Sequence, residues 1–320
     1  MNKTVTKKEA ARFLSSNDNF LILTHINPDG DTLGSAFALW NALKSLGKNA
    51  NVLTDGEVPA RYAFLAEGYK NSDFEVKIII SVDIASQKML SDNMICYQNK
   101  IDLCIDHHIS NSIEADLVIV DGDAAANCEI MFDIISATGA EIDTKIAMCL
   151  YTGIATDTGC FKYSNTTART HEIAGKLFGF GIDFAKINYD MFDLKSKSRV
   201  MAEMLFTKSI EFFCGGKVAV AKLTKDFVCQ TGIDESEFDG LVSIPRQIEG
   251  VDIGITLKEK DDGFKISLRT SEKIDACSIC SKFGGGGHIR ASGCFIQGSL
   301  EEAEKQILSA AETALGKAGA

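Results

Sequence analysis

Residues 20–35 read FLILTHINPDGDTLGS, and this stretch decides the fold class of the chain. FLILTH is a short apolar run of the kind that forms a buried β-strand. The apolar spacing within TLGSAFALWNALKSLG predicts a helix directly after it, and we expect Gly34 and Ser35 to start that helix close to the strand. A buried strand that passes through a tight turn into a helix is typical of a parallel α/β sheet.

Further strand candidates in the first part of the chain repeat this arrangement. They are NANVLTD (49–55), VKIIISVD (76–83), IDLCID (101–106) and DLVIVD (116–121). Helical patterns follow in NCEIMFDIISATG and TKIAMCLYTGIATD. Strands that alternate with helices predict an α/β domain, built on a mostly parallel, doubly wound sheet that is covered on both faces.

The remainder of the chain predicts a second, smaller domain. A polar, helix-prone stretch at 191–209 is interpreted as a linker helix between a first domain at 1–190 and a second domain at 210–320. Beyond the linker, KVAVAKLT, VDIGITLKEK and GFKISLRTS have the composition of strands, whereas DACSICSKFG and LEEAEKQILSAAETAL have helical spacing. This mixture predicts an α+β domain, and we expect an active-site cleft between the two domains.

The composition limits the partners and the compartment. A formal net charge of -11, from 44 acidic and 33 basic residues, argues against binding long nucleic acids through their phosphates. It allows a small anionic ligand, because bound divalent cations reverse the local field. The 10 cysteines lack the spacing of a zinc site and indicate a reducing compartment. Since MNKTVTKKEAARFL lacks the apolar stretch of a signal peptide, we expect a cytoplasmic protein without a membrane partner.

The polar residues at the ends of the predicted strands carry the chemistry. They are His25, Asp29 and Asp31 after the first strand, Asp83 after the third, Asp106, His107 and His108 after the fourth, and Asp157 at the end of a helical run. Because open α/β sheets bind ligands at the carboxyl ends of their strands, we expect these side chains to share a site. Each group alone is typical of a turn or a helix cap. Together they include 3 of the 5 histidines of the chain, which favours a functional site.

This donor set predicts the kind of ion. Imidazoles and carboxylates without cysteine favour a hard or borderline divalent ion, with Mn²⁺ as the first expectation and Mg²⁺, Co²⁺ or Fe²⁺ as alternatives. The carboxylates exceed what a single ion needs. Two ions about 3.5–4 Å apart, bridged by one Asp, would use them and would stabilise the attacking and leaving oxygens of a phosphoryl transfer.

The motifs together resemble the DHH phosphoesterase superfamily, named for the triplet that stands here as Asp106, His107 and His108. THINPDGDTLGS, SVDIAS, IDHH and ATDTG are similar to its first four motifs. FGGGGHIRASG (283–293) is similar to the signature of the DHH-associated C-terminal domain. The resemblance covers essentially the whole chain, and its motifs appear in the family's order.

The resemblance implies a role for each residue of the first domain. One ion would be held by His25, Asp29 and Asp83, and the second by Asp31, Asp83, His107 and Asp157, with Asp83 as the bridge. Asp106 would orient the histidines, and His108 would contact the scissile phosphate. The nucleophile that this arrangement implies is a water activated between the two ions.

In the second domain the resemblance implies a substrate-binding loop. Its candidate residues are Gly285, Gly286, Gly287, His288 and Arg269. Consecutive glycines allow backbone amides to approach an anion closely, and the imidazole and guanidinium would hold a phosphate or base remote from the bond that is cut. Arg290 lies beside them, and its role is left open, including simple exposure to solvent.

Family members of this length and layout degrade oligoribonucleotides of a few nucleotides, and many remove the 3′-phosphate of adenosine 3′,5′-bisphosphate (pAp). The resemblance therefore implies a metal-dependent phosphoesterase that hydrolyses short RNA to mononucleotides, removes the 3′-phosphate of pAp, or does both. The alternative is a phosphodiesterase for cyclic di-AMP or its linear product pApA.

More distant alternatives are an inorganic pyrophosphatase, a non-catalytic nucleotide-binding protein and a dinucleotide-dependent oxidoreductase. Pyrophosphatases with these motifs lack the GGGGH loop, a non-catalytic protein would lack ligands, and INPDGD is not the glycine fingerprint of an oxidoreductase. The polarity of digestion, the physiological metal and the oligomeric state stay open, with a homodimer as one expectation.

Overall fold

The computed structural model describes residues 2–234 and 237–318. The chain divides into two compact units, Met1–Leu194 and Lys195–Ala320. Each unit has hydrophobic clusters of its own. Within the described residues, none of the helices combines the length and the apolar character that a membrane span requires.

The described part of the first unit is built on a six-stranded sheet. Its strands are β1 (Lys3–Thr4), β2 (Phe20–Leu23), β3 (Ala50–Leu53), β4 (Ile78–Val82), β5 (Ile101–Asp106) and β6 (Ala115–Val120). Its helices are α1 (Lys7–Ser16), α2 (Gly30–Ser45), α3 (Asn127–Thr138), α4 (Thr144–Asp157), α5 (Ala168–Phe178) and α6 (Phe184–Asn188). The strand order is β1-β6-β5-β4-β2-β3, and every neighbouring pair is parallel. The predicted parallel α/β domain is confirmed.

The sheet is buried on both faces. Along β2, Phe20 and Ile22 belong to the cluster formed with α1 to α5, whereas Leu21 and Leu23 belong to a second cluster on the opposite face. The segment 84–97, with its short 3₁₀ turns, covers that opposite face. Burial on both faces explains why β2 is a continuous apolar run and not an alternating one.

The strand order places a topological switch point at β2. The chain leaves β2 through α2 to β3 on one side and then returns to β4 on the other side. In open α/β sheets, the crevice at the carboxyl ends of the strands beside such a reversal is where ligands bind. The loops that follow β2, β4 and β5 therefore converge on one edge of the sheet.

The second unit contains a mixed sheet. Its strands are β7 (Glu211–Phe213), β8 (Val218–Leu223), β9 (Ile253–Lys260), β10 (Gly263–Thr270), β11 (Gly286–His288) and β12 (Ala291–Gln297). Its helices are α7 (Lys197–Lys208), α8 (Lys225–Thr231), α9 (Phe238–Leu241), α10 (Ala276–Cys280) and α11 (Leu300–Ala318). The order is β11-β12-β10-β9-β8-β7, with β8 and β9 parallel and the other pairs antiparallel. The predicted mixed α+β domain is confirmed, and α7, which covers most of the expected linker, lies in this unit.

The glycine run differs from the predicted loop. Gly286 to His288 form β11, which pairs with β12 in a hairpin. A Cβ at Gly285 would lie 2.5 Å from the Cβ of Cys294, and a Cβ at Gly287 would lie 2.7 Å from the carbonyl oxygen of Ala291. The glycines therefore allow β11 to lie against β12 more closely than residues with side chains could. The segment is a paired strand and not a flexible loop.

Candidate metal centre

The turn after β2 is held against β4 by short polar contacts. Asp29 is the N-cap of α2, and its Oδ1 accepts hydrogen bonds from the backbone amides of Asp31 (3.0 Å) and Thr32 (3.1 Å). The Thr32 hydroxyl donates to the carbonyl oxygen of Val82 (3.0 Å), the last residue of β4. Asp29 and Asp31 are thus fixed at the amino end of α2, directly beside the end of β4.

Close packing between α2 and α4 brings Asp157 to this edge. A Cβ on Gly34 would lie 2.5 Å from the Cys149 carbonyl oxygen, and a Cβ on Gly153 would lie 2.7 Å from Asp31 Oδ1. Gly34 was expected to start the helix against the strand, but α2 begins at Gly30 and Gly34 packs against α4. These glycines let the helices approach closely, and α4 then ends at Asp157 beside the amino end of α2.

Asp83 lies between two groups of ligands. Its backbone has a φ of 58°, a left-handed conformation that Asp tolerates better than most residues, and its amide donates to the Ile105 carbonyl oxygen (2.9 Å). Its Oδ2 lies 3.6 Å from His25 Nε2, and its Oδ1 lies 3.5 Å from His107 Nε2. The two carboxylate oxygens therefore face different imidazoles, as a bridging carboxylate requires.

Backbone carbonyls set the tautomers of the two imidazoles. His25 Nδ1 lies 2.8 Å from the Ile26 carbonyl oxygen, and His107 Nδ1 lies 3.2 Å from that of Ala124. Because a carbonyl oxygen only accepts, each Nδ1 must carry the hydrogen. Each neutral ring then presents the lone pair of Nε2 to the acidic centre, which is the arrangement of metal-bound histidines.

Asp106 holds the DHH triplet together. Its Oδ1 accepts from the His107 amide (2.8 Å) and from His108 Nδ1 (2.8 Å), and its Oδ2 accepts from Asn111 Nδ2 (2.6 Å). Burial opposes ionisation, yet the hydrogen bonds from His108 and Asn111 lower the pKa of this fully buried carboxyl. Since Nδ1 of His108 is engaged by Asp106, its other ring nitrogen is the one free for a substrate. The side chain of His108 is 40% exposed.

Three overlapping groups of side chains have donor atoms close enough to share an ion. They are His25, Asp29 and Asp83; Asp31, His107 and Asp157; and Asp83, His107 and His108, each with ligand atoms within 4.8 Å of one another. The first group has the residues of one ligand set that the family resemblance implies, and the second has those of the other set without Asp83, whose Oδ1 lies 3.5 Å from His107 Nε2. The third needs a nitrogen of His108, which the contact with Asp106 disfavours.

The donors fit divalent cations on two further grounds. Asp83 Oδ1 and His107 Nε2 are buried and have no hydrogen-bond partner among the described residues. Burial, with the charges of Asp31 and Asp83, raises the pKa of the Asp157 carboxyl to about 9. Burial, with the charge of Asp31, also raises the pKa of Asp83 well above its usual range. Carboxylates crowded in this way repel one another until cations neutralise them.

Neighbouring groups that the sequence did not reveal position the centre. Asp31, which is fully buried, accepts hydrogen bonds from the amides of Asn127 and Cys128 (2.9 Å for Cys128), so it caps α3 from another helix. Residue 126, the N-cap of α3, provides no side-chain cap. These partners are backbone amides brought close by folding, and they have no signature in the sequence. Asn111, which donates to Asp106 from only five residues further along the chain, is the partner that the sequence could have indicated.

The predicted residues of the second unit lie side by side on its sheet. Arg269 on β10 pairs with Ala291 on β12, which in turn pairs with His288 on β11. Residues paired across antiparallel strands project from the same face, so the arginine and the histidine flank the small side chain of Ala291. Arg290, whose role was open, donates to the carbonyl oxygens of Ser271 (2.6 Å) and Ile274 (3.1 Å) and thereby holds that turn.

Comparison with known families agrees with this architecture. Residues 19–154 match the DHH family, N-terminal domain, and residues 215–317 match the DHHA1 domain. The first match contains His25, Asp29, Asp31, Asp83 and the Asp106–His108 triplet and ends three residues before Asp157, and the second contains the glycine run with Arg269.

Relatives are similar over nearly the full chain. A protein of Thermus thermophilus named bifunctional oligoribonuclease and PAP phosphatase NrnA is 33% identical over 306 residues, which cover 93% of this chain and 90% of the relative. A protein of the same name from Bacillus subtilis is 28% identical over 312 residues, covering 96% and 98%. The crystal structure of an exopolyphosphatase-related protein from Bacteroides fragilis has a TM-score of 0.88 and 26% identity, and the similarity covers 98% of each chain.

Proposed function

The chain belongs to the DHH family and carries a DHHA1 domain, and from this premise we propose that it is a metal-dependent phosphoesterase acting on short RNA and on pAp. It hydrolyses oligoribonucleotides of a few nucleotides to mononucleotides and removes the 3′-phosphate of pAp. The relatives named oligoribonuclease and PAP phosphatase support both activities. The acidic net charge of -11 supports short substrates over long duplexes.

A single observation carries the proposal. The carboxylate of Asp83 lies between two donor groups, with one oxygen 3.6 Å from His25 Nε2 and the other 3.5 Å from His107 Nε2. Two divalent cations bound there would lower the pKa of a water and stabilise charge on the phosphate oxygens. We assign His25, Asp29 and Asp83 to one ion, and Asp31, Asp83, His107 and Asp157 to the other.

The other residues of the centre orient the reaction. Asp106 fixes the ring of His108 through Nδ1, which directs the opposite nitrogen outward to the scissile phosphate, where it donates a hydrogen bond when the ring carries both hydrogens. The partial exposure of His108 supports a contact with substrate. In the second unit, Arg269 and His288 bind the part of the nucleotide that is not cut, and the narrow glycine hairpin lets substrate approach the backbone.

The donor set of imidazoles and carboxylates supports divalent cations, and we propose Mn²⁺ as the preferred ion, with Mg²⁺, Co²⁺ and Fe²⁺ as alternatives to test. A cytoplasmic location and a homodimer stay predictions.

The proposal is tested with purified protein, Mn²⁺ and a panel of substrates at equal concentration. The panel contains 5′-labelled RNAs from dinucleotides to a few tens of nucleotides, together with pAp, pApA, cyclic di-AMP and pyrophosphate. We expect the highest initial rates with the shortest RNAs, release of mononucleotides, and phosphate release from pAp. Preference for pApA or cyclic di-AMP would replace the substrate assignment. Cleavage of pyrophosphate alone, or of nothing with any divalent ion, would refute the proposed function.

A further inference from the structure

A third basic residue of the second unit lies beside the predicted substrate-binding pair. Arg246 is in a 3₁₀ helix, Ile244–Gln247, that packs directly on β9. A Cβ on Gly254 would lie 2.6 Å from the backbone nitrogen of Arg246 and 2.9 Å from its Cβ. The absence of a side chain at Gly254 is therefore what allows Arg246 to lie against the sheet at this point.

The register of the sheet shows which face Arg246 covers. Gly254 on β9 pairs with Arg269 on β10, and Arg269 pairs with Ala291, which pairs with His288. Paired residues project from the same face, and neighbouring strands are about 4.8 Å apart. Arg246 lies on the side-chain side of Gly254, so it is on the same face as Arg269 and His288 and next to Arg269.

The charges of Arg246 and Arg269 have no partner among the described residues, unlike those of Arg199 and Lys222 in the same unit. Arg199 Nε lies 2.9 Å from Glu203, and Lys222 Nζ lies 2.7 Å from Glu211. Within residues 2–234 and 237–318, neither Arg246 nor Arg269 has an ion-pair partner, and Arg269 donates only to the carbonyl oxygen of Leu268.

One donor of Arg246 is also buried without an acceptor. Its Nε is enclosed and has no hydrogen-bond partner in the described part of the chain. Leaving a buried, charged donor unpaired costs free energy, which an oxygen acceptor brought next to it on binding would recover. Two arginines therefore lie on one face of the sheet, beside Ala291 and the glycine hairpin.

We propose that Arg246 acts with Arg269 to bind a phosphate group of the substrate that is not cleaved. Guanidinium groups bind phosphate oxygens in pairs of parallel hydrogen bonds, which makes two arginines selective for a terminal phosphate. The inference rests on the proposed function for the identity of the substrate. It adds a specificity: the protein selects nucleotides that carry a second phosphate, such as pAp, over nucleotides that carry only the phosphate to be removed, such as adenosine 3′-monophosphate.

The kinetic test compares these two substrates in the wild type and in Arg246→Gln. We expect the KM for pAp to rise about 10- to 100-fold, as for loss of a charged hydrogen bond, while kcat/KM for adenosine 3′-monophosphate changes less than about threefold. Arg199→Gln removes the same charge where Glu203 already neutralises it, and we expect both substrates to be unaffected. Equal losses for the two substrates in Arg246→Gln would overturn the proposal.

A binding test separates this inference from the proposed function. The affinities of adenosine 5′-monophosphate and adenosine are measured by calorimetry with EDTA present, so no turnover is needed. We expect the wild type to bind the monophosphate about tenfold or more tightly than adenosine, and Arg246→Gln to lose that preference. Arg246→Lys, which keeps the charge and the stem, should keep part of it if the glutamine variant is unstable. An undiminished preference in Arg246→Gln overturns the proposal even if the protein proves to be an active phosphoesterase, and so does an undiminished preference in Arg246→Lys where the glutamine variant does not fold.

Discussion

At the scale of single residues, the candidate centre depends on side chains whose orientations are fixed by backbone conformation and hydrogen bonds. Asp83 follows a buried strand and adopts a left-handed backbone conformation, while its amide is bonded to β5. His25 and His107 are each fixed by one carbonyl oxygen. These local constraints place the two oxygens of Asp83 between the imidazoles before any ion binds, so little reorganisation is required.

Asp83→Asn removes the charge from the proposed bridge with almost no change in shape. We expect kcat/KM for pAp to fall by about a thousand-fold or more, because two-metal stabilisation is worth several kcal/mol. Calorimetry with Mn²⁺ should show loss of at least one bound ion. Asp143→Asn is the matched control, since Asp143 caps the opposite end of α4, the helix that ends in Asp157, and Asn caps equally well. Near-normal activity of Asp83→Asn would remove Asp83 from the centre.

Asp106→Asn tests a residue that orients others. The change weakens the contacts with His108 Nδ1 and with the His107 amide. We expect kcat/KM to fall about 10- to 100-fold, with two Mn²⁺ ions still bound, because a supporting partner has a smaller effect than a ligand. The measurement pairs steady-state kinetics with metal stoichiometry. Loss of a bound ion in this variant would show that Asp106 is itself a ligand.

At the scale of elements, the packing of α2 against α4 determines where the acidic side chains meet. The contact between α2 and α4 is made through glycines, and it sets the distance between Asp31 and Asp157. The same contact brings Cys128 of α3 close to Asp31. A change in the packing of α2 against α4 should therefore alter the geometry of the centre.

Gly153→Ala tests this coupling. The added methyl group would lie 2.7 Å from Asp31 Oδ1 and would also overlap Cys128 Sγ. We expect the free energy of unfolding to fall by about 1–3 kcal/mol, as for other overpacked cores. Activity should fall at least tenfold as Asp31 is displaced.

Gly175→Ala is the control for this change. Gly175 is an exposed residue within α5, and a methyl group there would meet no atom within 4 Å. We expect it to stabilise the protein by about 0.5–1 kcal/mol, since alanine favours a helix, with activity unchanged. Chemical denaturation and pAp hydrolysis measure both variants. Equal behaviour of the two would contradict the coupling.

The elements that could be predicted from the sequence are those whose burial shows in composition. β2, β4 and β5 are apolar runs that end on Asp or His, so both the strands and the polar groups beyond them were predicted. β1 has two residues, and β12, ASGCFIQ, contains small and polar residues that do not mark a strand. Those strands form because neighbouring strands offer backbone partners, which is a property of the folded chain.

The partners of the candidate ligands were less predictable than the ligands themselves. The five predicted positions at strand ends, His25, Asp83, Asp106, His107 and His108, follow from where apolar runs stop. The amides that bind Asp31 and the carbonyl that binds His107 are backbone groups, which all residues except proline carry in full, so no side-chain pattern identifies them. Arg246 was also missed, because its position depends on the absence of a side chain at Gly254, which the sequence around Arg246 does not show.

At the scale of the whole molecule, the candidate metal ligands and the arginines proposed to bind phosphate lie in different units. The carboxylates of the candidate centre belong to Met1–Leu194, and the uncompensated arginines belong to Lys195–Ala320. The excess of acids gives a net charge of -11. Divalent cations should therefore stabilise the molecule through the first unit, and the effect should depend on pH because the ligands titrate.

The direction of that dependence follows from two groups. Burial raises the pKa of Asp157 from 3.8 to about 9, so the metal-free folded protein retains a proton that the unfolded chain has lost, and stability falls as pH rises through this window. Burial alone would lower the pKa of His25, but the hydrogen bond and charge of Asp29 raise it from 6.5 to about 9. Its contribution is complete below pH 6.5 and is lost as pH rises through about 9.

Both groups therefore weaken the metal-free protein between pH 6.5 and about 9, whereas cations bound as proposed would keep the acids ionised and His25 neutral. We expect Mn²⁺ to raise the unfolding temperature more at pH 8 than at pH 6.5, with about 2.7 kcal/mol of stabilisation when the ion is at a hundred times its Kd. Calorimetry in buffers of different ionisation enthalpy should detect protons released on binding. Asp83→Asn should abolish most of the shift, whereas Asp143→Asn should retain it. If the rise in unfolding temperature caused by Mn²⁺ did not depend on pH, His25 and Asp157 would not bind the ion. Displacement of their protons by the ion is what links stability to pH.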